Sequence, residues 1–153
     1  MVKLADLFDE QSVVLDLEPT TKDDLLATIL EDLDGKSLIE NFDQALSDVI
    51  EREKVMSTGI GNGVAIPHAY TDGVDRLVAG FYRTRDGVDF AALDGKDVDL
   101  FVIILGPKAS RRDHIKILAR ISRLLNNSEF RSELRGAKAA DDVMAVFKRF
   151  GDR

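Results

Sequence analysis

The sequence contains no cysteine, which excludes disulfides, thiolate nucleophiles and thiolate metal sites. Tryptophan is absent, proline occurs three times and histidine only twice. No apolar run approaches the roughly 20 residues that span a bilayer. The first residues, MVKLADLFDEQ, carry acids where a secretory leader needs an apolar stretch. A cytoplasmic chain without direct membrane insertion is expected. Positive charge is also short, with 21 Lys and Arg against 28 Asp and Glu and a net charge of −7. Nucleic-acid binding needs cationic surface to displace counterions, so no nucleic-acid partner is expected. There is no G-x-S-x-G elbow, no H-E-x-x-H pair and no Walker A run, so three common routes to hydrolytic and nucleotide chemistry are missing.

What is present fits one domain spanning residues 1–153, with 44% hydrophobic and 32% charged residues. A chain of this length buries enough surface to form a core without staples. Charge is unevenly spread. Residues 1–56 hold 15 acids and 5 bases, whereas the window 108–135 holds 8 bases and 3 acids. That window is either a patch for an acidic partner or phosphate, or a solvated helix face.

Leu4, Leu7 and Phe8 predict a short helical turn, and Val13–Leu15 a short strand. Thr21 with Asp24 reads as a capping box for a helix that Gly35 stops. Asn41 with Gln44 opens a second helix, which runs out into Glu51-Arg52-Glu53-Lys54. Residues 57–68 hold three glycines and a proline and fit no helix, so a strand or an irregular extended segment, broken by glycines that allow tight turns, is expected. Strands are predicted at Leu77–Thr84 and Val98–Leu105, with turns at Gly87 and at Asp94-Gly95 between them. After Pro107 the chain turns helical, with an apolar stripe at Ile117, Leu118, Ile121, Leu124 and Leu125. A short helix covers Phe130–Leu134, and Asp141 is expected to cap a last one. Central strands with helices at both ends predict an α/β sandwich on a mixed sheet.

Few residues can carry chemistry. His68 follows Pro67 at the end of the glycine-rich segment. It reads as a turn histidine satisfied by backbone carbonyls, or as a neutral imidazole offering a nucleophilic nitrogen. His114 shares a face with Ile117, Leu118 and Ile121. It is either a partly buried structural histidine or, with Arg111 and Arg112 near a helix start, part of a phosphate site. Arg52 is either a surface ion-pair partner or a phosphate clamp. A two-histidine metal site would need a third ligand such as Asp72, Asp75 or Asp113, and no spacing demands one. The cluster Gly59-Ile60-Gly61-Asn62-Gly63 lacks the spacing of a dinucleotide fingerprint.

The run Glu51-Arg52-Glu53-Lys54 with Ser57-Thr58-Gly59-Ile60-Gly61-Asn62-Gly63-Val64-Ala65-Ile66-Pro67-His68-Ala69 closely resembles the active-site segment of enzyme IIA of the phosphoenolpyruvate:sugar phosphotransferase system. The resemblance is to the fructose/mannitol class, and most to its nitrogen-regulatory branch. It extends to Gly87-Val88-Asp89-Phe90, Leu93-Asp94-Gly95, Gly106-Pro107 and Asp113-His114. It implies a mixed sheet of about five strands with helices on both sides. It implies that His68 takes a phosphoryl group from the histidine phosphocarrier protein, with His114 and Arg52 in support. Ser57, Thr58 and Asn62 are candidates for further hydrogen bonds to phosphate. The implied step needs no cofactor and no metal. Two roles follow from the resemblance. One is a nitrogen-type regulatory subunit acting on target proteins. The other is a sugar-specific subunit relaying phosphate to an enzyme IIB.

Overall fold

A computed structural model describes residues 4–8, 10–19 and 21–151. Its helices are α1 (Leu4–Leu7), α2 (Lys22–Gly35), α3 (Phe42–Val55), α4 (Arg111–Leu125), α5 (Ser128–Gly136) and α6 (Ala140–Gly151). The strands are β1 (Val13–Leu17), β2 (Gly59–Gly61), β3 (Val64–Ala65), β4 (His68–Tyr70), β5 (Val78–Val88) and β6 (Val98–Gly106). Local chemistry sets several ends. The Thr21 side chain accepts from Asp24 N at 3.1 Å, and Asn41 Oδ1 accepts from Gln44 N at 3.1 Å. Each satisfies an orphan donor at a helix start. Both caps stand where the sequence places them. The cap of α6 does not come from Asp141. Asp142 reaches back to the N–H groups of Lys138 and Ala139, as an acid in the third helical position of a capping box does.

The sheet runs β1-β5-β6-β3-β2, with β4 also on β6. β1 is parallel to β5, β5 antiparallel to β6, and β3 and β4 both parallel to β6. Because β3 and β4 occupy successive stretches of one edge of β6, six strands fill five positions. The expected sheet of about five strands therefore holds. Of the two forms expected for residues 57–68, strand or irregular extended chain, the structure has strands at Gly59–Gly61 and Val64–Ala65. β2 and β3 form a hairpin whose turn residues, Asn62 and Gly63, have φ of 59° and 78°. Paired positive φ at Asn-Gly is the tight turn that matches strand twist. Gly87 is not a turn. β5 continues through it to pair Val88 with Val98, and a Cβ at Gly87 would lie 2.6 Å from Asp97 Cβ.

The strand interior at β6 is buried on both faces, so its residues alternate between two cores. Leu100, Val102 and Ile104 pack with α1, α4, α5 and α6; Phe101, Ile103 and Leu105 pack with α2 and α3. Phe147 of α6 ties the first core together through ring contacts with Phe8, Phe81 and Phe130. Helices thus cover both faces, as an α/β sandwich requires. Among the described residues no helix is long and apolar enough to cross a membrane.

Arg83 joins the layers. Its Nη1 donates to the carbonyls of Leu134, Arg135 and Ala137 at 2.9, 3.1 and 2.7 Å, and its Nε donates to Leu15 O at 3.4 Å. The first three carbonyls lie at the end of α5, where a cation is also favoured by the helix dipole. Arg83→Met is expected to lose about 2–3 kcal/mol of unfolding free energy in urea, the scale of one or two charged hydrogen bonds.

Candidate functional site

The strand β4 runs along an edge of the sheet and pairs with β6, His68 opposite Ile104 and Tyr70 opposite Gly106. Alternation puts His68 and Tyr70 on one face, while Ala69 enters the core beneath α2 and α3. The first turns of α4 lie against that face. The His114 ring is 4.5 Å from the Tyr70 ring and 6.0 Å from the His68 ring, centroid to centroid. The Arg111 guanidinium sits over Tyr70 at 4.6 Å. Gly106 leaves the space that His114 uses, since a Cβ there would lie 3.1 Å from His114 Nδ1. Two histidines 46 positions apart in sequence thus face each other where β4 and β6 end.

The His68 ring has one nitrogen engaged. Nδ1 lies 2.7 Å from the carbonyl of Ile66. A carbonyl only accepts, so Nδ1 carries the proton and Nε2 keeps its lone pair. Burial lowers the pKa of His68 below its ordinary value; the Ile66 carbonyl opposes this, Arg52 lowers it further and Glu53 raises it. The neutral ring is therefore favoured at pH 7. The backbone carbonyl satisfies one nitrogen and leaves the other without a hydrogen bond among the described residues.

His114 is fully buried, and neither ring nitrogen finds a hydrogen-bond partner among the described residues. Burial pushes its pKa down to about 4, and the neighbouring His68 adds to the lowering. A buried imidazole with neither nitrogen hydrogen-bonded is an exception among buried polar groups. The pH dependence follows. The unfolded chain takes up a proton near pH 6.5 that folded His114 refuses. Stability held by neutral His114 is complete above pH 6.5 and is lost as pH falls toward 4. The slope is at most about 1.4 kcal/mol per pH unit, roughly 3 kcal/mol in all. Urea unfolding of wild type and His114→Leu between pH 4 and 7 is expected to diverge by that slope, with the variant the less pH-dependent.

Arg52, in the last turn of α3, donates from Nη1 to Met56 O at 2.9 Å, and its charge reaches His68. Glu53 beside it is buried. Its Oε2 accepts from Thr58 N and from Lys22 Nζ, both at 2.8 Å, and its Oε1 accepts from Thr58 Oγ1 at 2.5 Å. Ser57 Oγ donates to Phe90 O at 2.7 Å and accepts from Gly59 N at 3.1 Å. The hydroxyls of Ser57 and Thr58 are therefore spent on the scaffold. Asn62 is not brought to His68. Its turn lies beyond Val64, whose partner on β6 is four residues from that of His68, a rise of roughly 13 Å. There Asn62 N–H donates to Asp94 and its carbonyl accepts from Arg135. Among the described residues no group of three or more His, Asp or Glu could hold a metal ion. Asp72, offered as a third ligand, instead accepts from Lys108 N.

The sequence reading passes over Glu53 as one charge in a charged run. A signal was available: Ala45, Val49 and Glu53 are spaced by four and form the buried stripe of α3. Tyr70 reads from the sequence only as one of the polar residues after His68, although it stands two residues on and so on the same face of a strand.

The chain is also similar to known proteins along nearly its whole length. A sequence-family profile described as "Phosphoenolpyruvate-dependent sugar phosphotransferase system, EIIA 2" matches residues 6–150. The "PTS system fructose-specific EIIA component" of Haloferax volcanii is 35% identical over 88% of this chain and 87% of its own length. A "Nitrogen regulatory protein" of Pseudomonas aeruginosa is 36% identical over 80% of this chain and 75% of its own. Among solved structures, Nitrogen Regulatory Protein IIA-Ntr from Neisseria meningitidis superposes with a TM-score of 0.83 at 30% identity, covering 94% of this chain and 97% of that one. With one profile spanning nearly the whole chain and relatives of both kinds aligned along most of their length, the protein belongs to the EIIA 2 family of the phosphoenolpyruvate-dependent sugar phosphotransferase system.

Proposed function

We propose that the protein is a phosphoryl carrier whose acceptor atom is Nε2 of His68. The observation that carries this reading is the Nδ1 contact with Ile66 O, which leaves Nε2 as the free nitrogen. The donor is the phosphohistidine of the histidine phosphocarrier protein. The Nε2 lone pair forms the new P–N bond as the donor's P–N bond breaks, and that electron pair returns to the donor nitrogen. His68 keeps its Nδ1 proton, so the ring gains positive charge that the Ile66 carbonyl meets. Little further covalent work is required of the protein; alignment and charge stabilisation do the rest. Arg52 and His114 supply the latter. The exposed bases Lys108, Arg111, Arg112 and Lys116 give the α4 side of the site a positive rim. Exposed Val55, Met56 and Ile115, neighbours in sequence of Arg52 and His114, offer apolar contact to a docking protein.

Two recipients are consistent with the relatives. Similarity to a fructose-specific component favours relay to an enzyme IIB. Similarity to nitrogen regulatory proteins favours a subunit whose phosphorylation changes the charge of a surface read by target proteins. The test is intact mass after incubation with phosphoenolpyruvate, enzyme I and the phosphocarrier. One acid-labile phosphoryl group is expected; none, with the carrier shown to be charged, would sink the reading. Adding an enzyme IIB then separates the two roles, since relay discharges the protein and regulation leaves it charged.

A further inference from the structure

We propose that Glu53 is a positioning residue for His68, acting through Thr58 and the Ile66 peptide to hold the imidazole with its Nδ1 protonated and its Nε2 free. The inference rests on the reading of His68 as acceptor, and it adds a residue that this reading does not need. The path is continuous. Glu53 grips Thr58 at both N–H and Oγ1. The carbonyl of Thr58 accepts from Ile66 N at 3.0 Å. The carbonyl of Ile66 accepts from His68 Nδ1 at 2.7 Å. Each link passes through one residue, Thr58 and then Ile66, whose N–H and carbonyl sit on the two peptides flanking its Cα, so holding one restricts the rotation that aims the other.

The placement of Glu53 is costly unless it serves something. A carboxylate at a helix C-terminus opposes the dipole. Burial to 7% exposure removes most of its hydration. The structure offsets both with one cation. Lys22 Nζ pairs with Glu53 Oε2, donates to Phe90 O at 3.2 Å and lies over the Phe90 ring at 4.5 Å. A neutral amide would not need Lys22, but it has one acceptor oxygen where the carboxylate has two, and so could not accept from both Thr58 N–H and Thr58 Oγ1 in this geometry. The retained charge has a use at His68, whose ring turns cationic as Nε2 attacks phosphorus. A fixed negative charge behind the ring favours that form, and the field of Glu53 does reach the imidazole.

The test measures the His68 ring directly. Nitrogen-15 NMR of the full-length protein reports which ring nitrogen carries the proton and where the ring titrates. In wild type the Nδ1–H tautomer is expected to dominate. In Glu53→Gln the population should move toward Nε2–H and the titration should move down in pH. The rate of phosphorylation by the charged phosphocarrier should fall roughly 10- to 100-fold, the scale of removing a group that orients an imidazole. Thr58→Val should show the same tautomer shift, and Thr58→Ser should restore the wild-type signature. Arg83→Met serves as a control, losing stability without touching the His68 resonances. If Glu53→Gln and Thr58→Val lower the melting temperature but leave tautomer and titration unchanged, Glu53 is structural only and the proposal fails. If Glu53→Gln does not fold, the two Thr58 variants decide by the same readout. Because that readout needs no phosphate, a wild type that accepts no phosphoryl group overturns the carrier reading while leaving this one to its own result.

Discussion

His68→Ala is expected to take up no phosphoryl group from the charged phosphocarrier while remaining folded. The loss should be complete because the chain offers no substitute. It has no cysteine, and its only other histidine is buried beside His68, shielded from in-line attack on the phosphohistidine of a docking protein. Folding should survive because His68 is half-buried on an edge strand whose pairing with β6 is made by backbone groups. A cavity at such a position costs less than one in the core, since neighbours and water can fill it. Intact mass gives the first readout, and far-UV circular dichroism with urea unfolding gives the second. A His68→Ala protein that still gains a phosphoryl group would place the acceptor elsewhere.

The second large effect is on rate. His114→Ala and Arg52→Ala are each expected to slow phosphorylation about 10²–10³-fold, as when one preorganised donor to a developing anion is removed. The argument for His114 turns on its orphaned nitrogens. Among the described residues nothing meets them, and burial favours the neutral ring. An arriving phosphoryl group brings anionic oxygens, which favour a donating or protonated imidazole. His114 then acquires the partner it lacks, and only on the phosphorylated side of the reaction. That is differential stabilisation, the condition for faster transfer. His114→Gln keeps a neutral donor and should fall between wild type and His114→Ala. Arg52→Lys should recover part of the Arg52→Ala loss, because charge is restored but the planar fork is not. Single-turnover transfer from the charged phosphocarrier measures all four. Equal rates for wild type and His114→Ala would reduce His114 to a core residue.

The legible parts of the fold are those governed by local chemistry. Thr21 and Asn41 stand just before their helices and accept the expected N–H groups. The apolar run ending Ile103-Ile104-Leu105 predicts a strand, and the structure has one there, buried on both faces. The less legible parts depend on contacts between distant segments. Asp142 wins the α6 cap over Asp141 because it stands at the third position of that helix, a boundary that depends on where α5 stops. Gly87 passes for a turn because the reason for a glycine there, the close approach of Asp97, lies across the sheet. Asn62 illustrates the same limit for function. Five residues separate it from His68 in a glycine-rich segment, which suggests proximity. The hairpin instead uses Asn62 as its tip and sends the chain forward along β6 to His68.

The site itself divides the same way. His68, His114 and Arg52 were readable as candidates, and their roles came from resemblance rather than spacing. The structure contributes the sided nature of the His68 ring, which no sequence pattern expresses. It also shows that Ser57 and Thr58 spend their hydroxyls inside the scaffold rather than toward the imidazole.

The most direct measurement is phosphorus–nitrogen NMR of the phosphorylated, nitrogen-15-labelled protein. The account predicts a phosphorus coupled to Nε2 of His68, with the Nδ1 proton retained and slowed in exchange by its bond to Ile66. A phosphorus coupled to Nδ1, or bound to any residue other than His68, would contradict it.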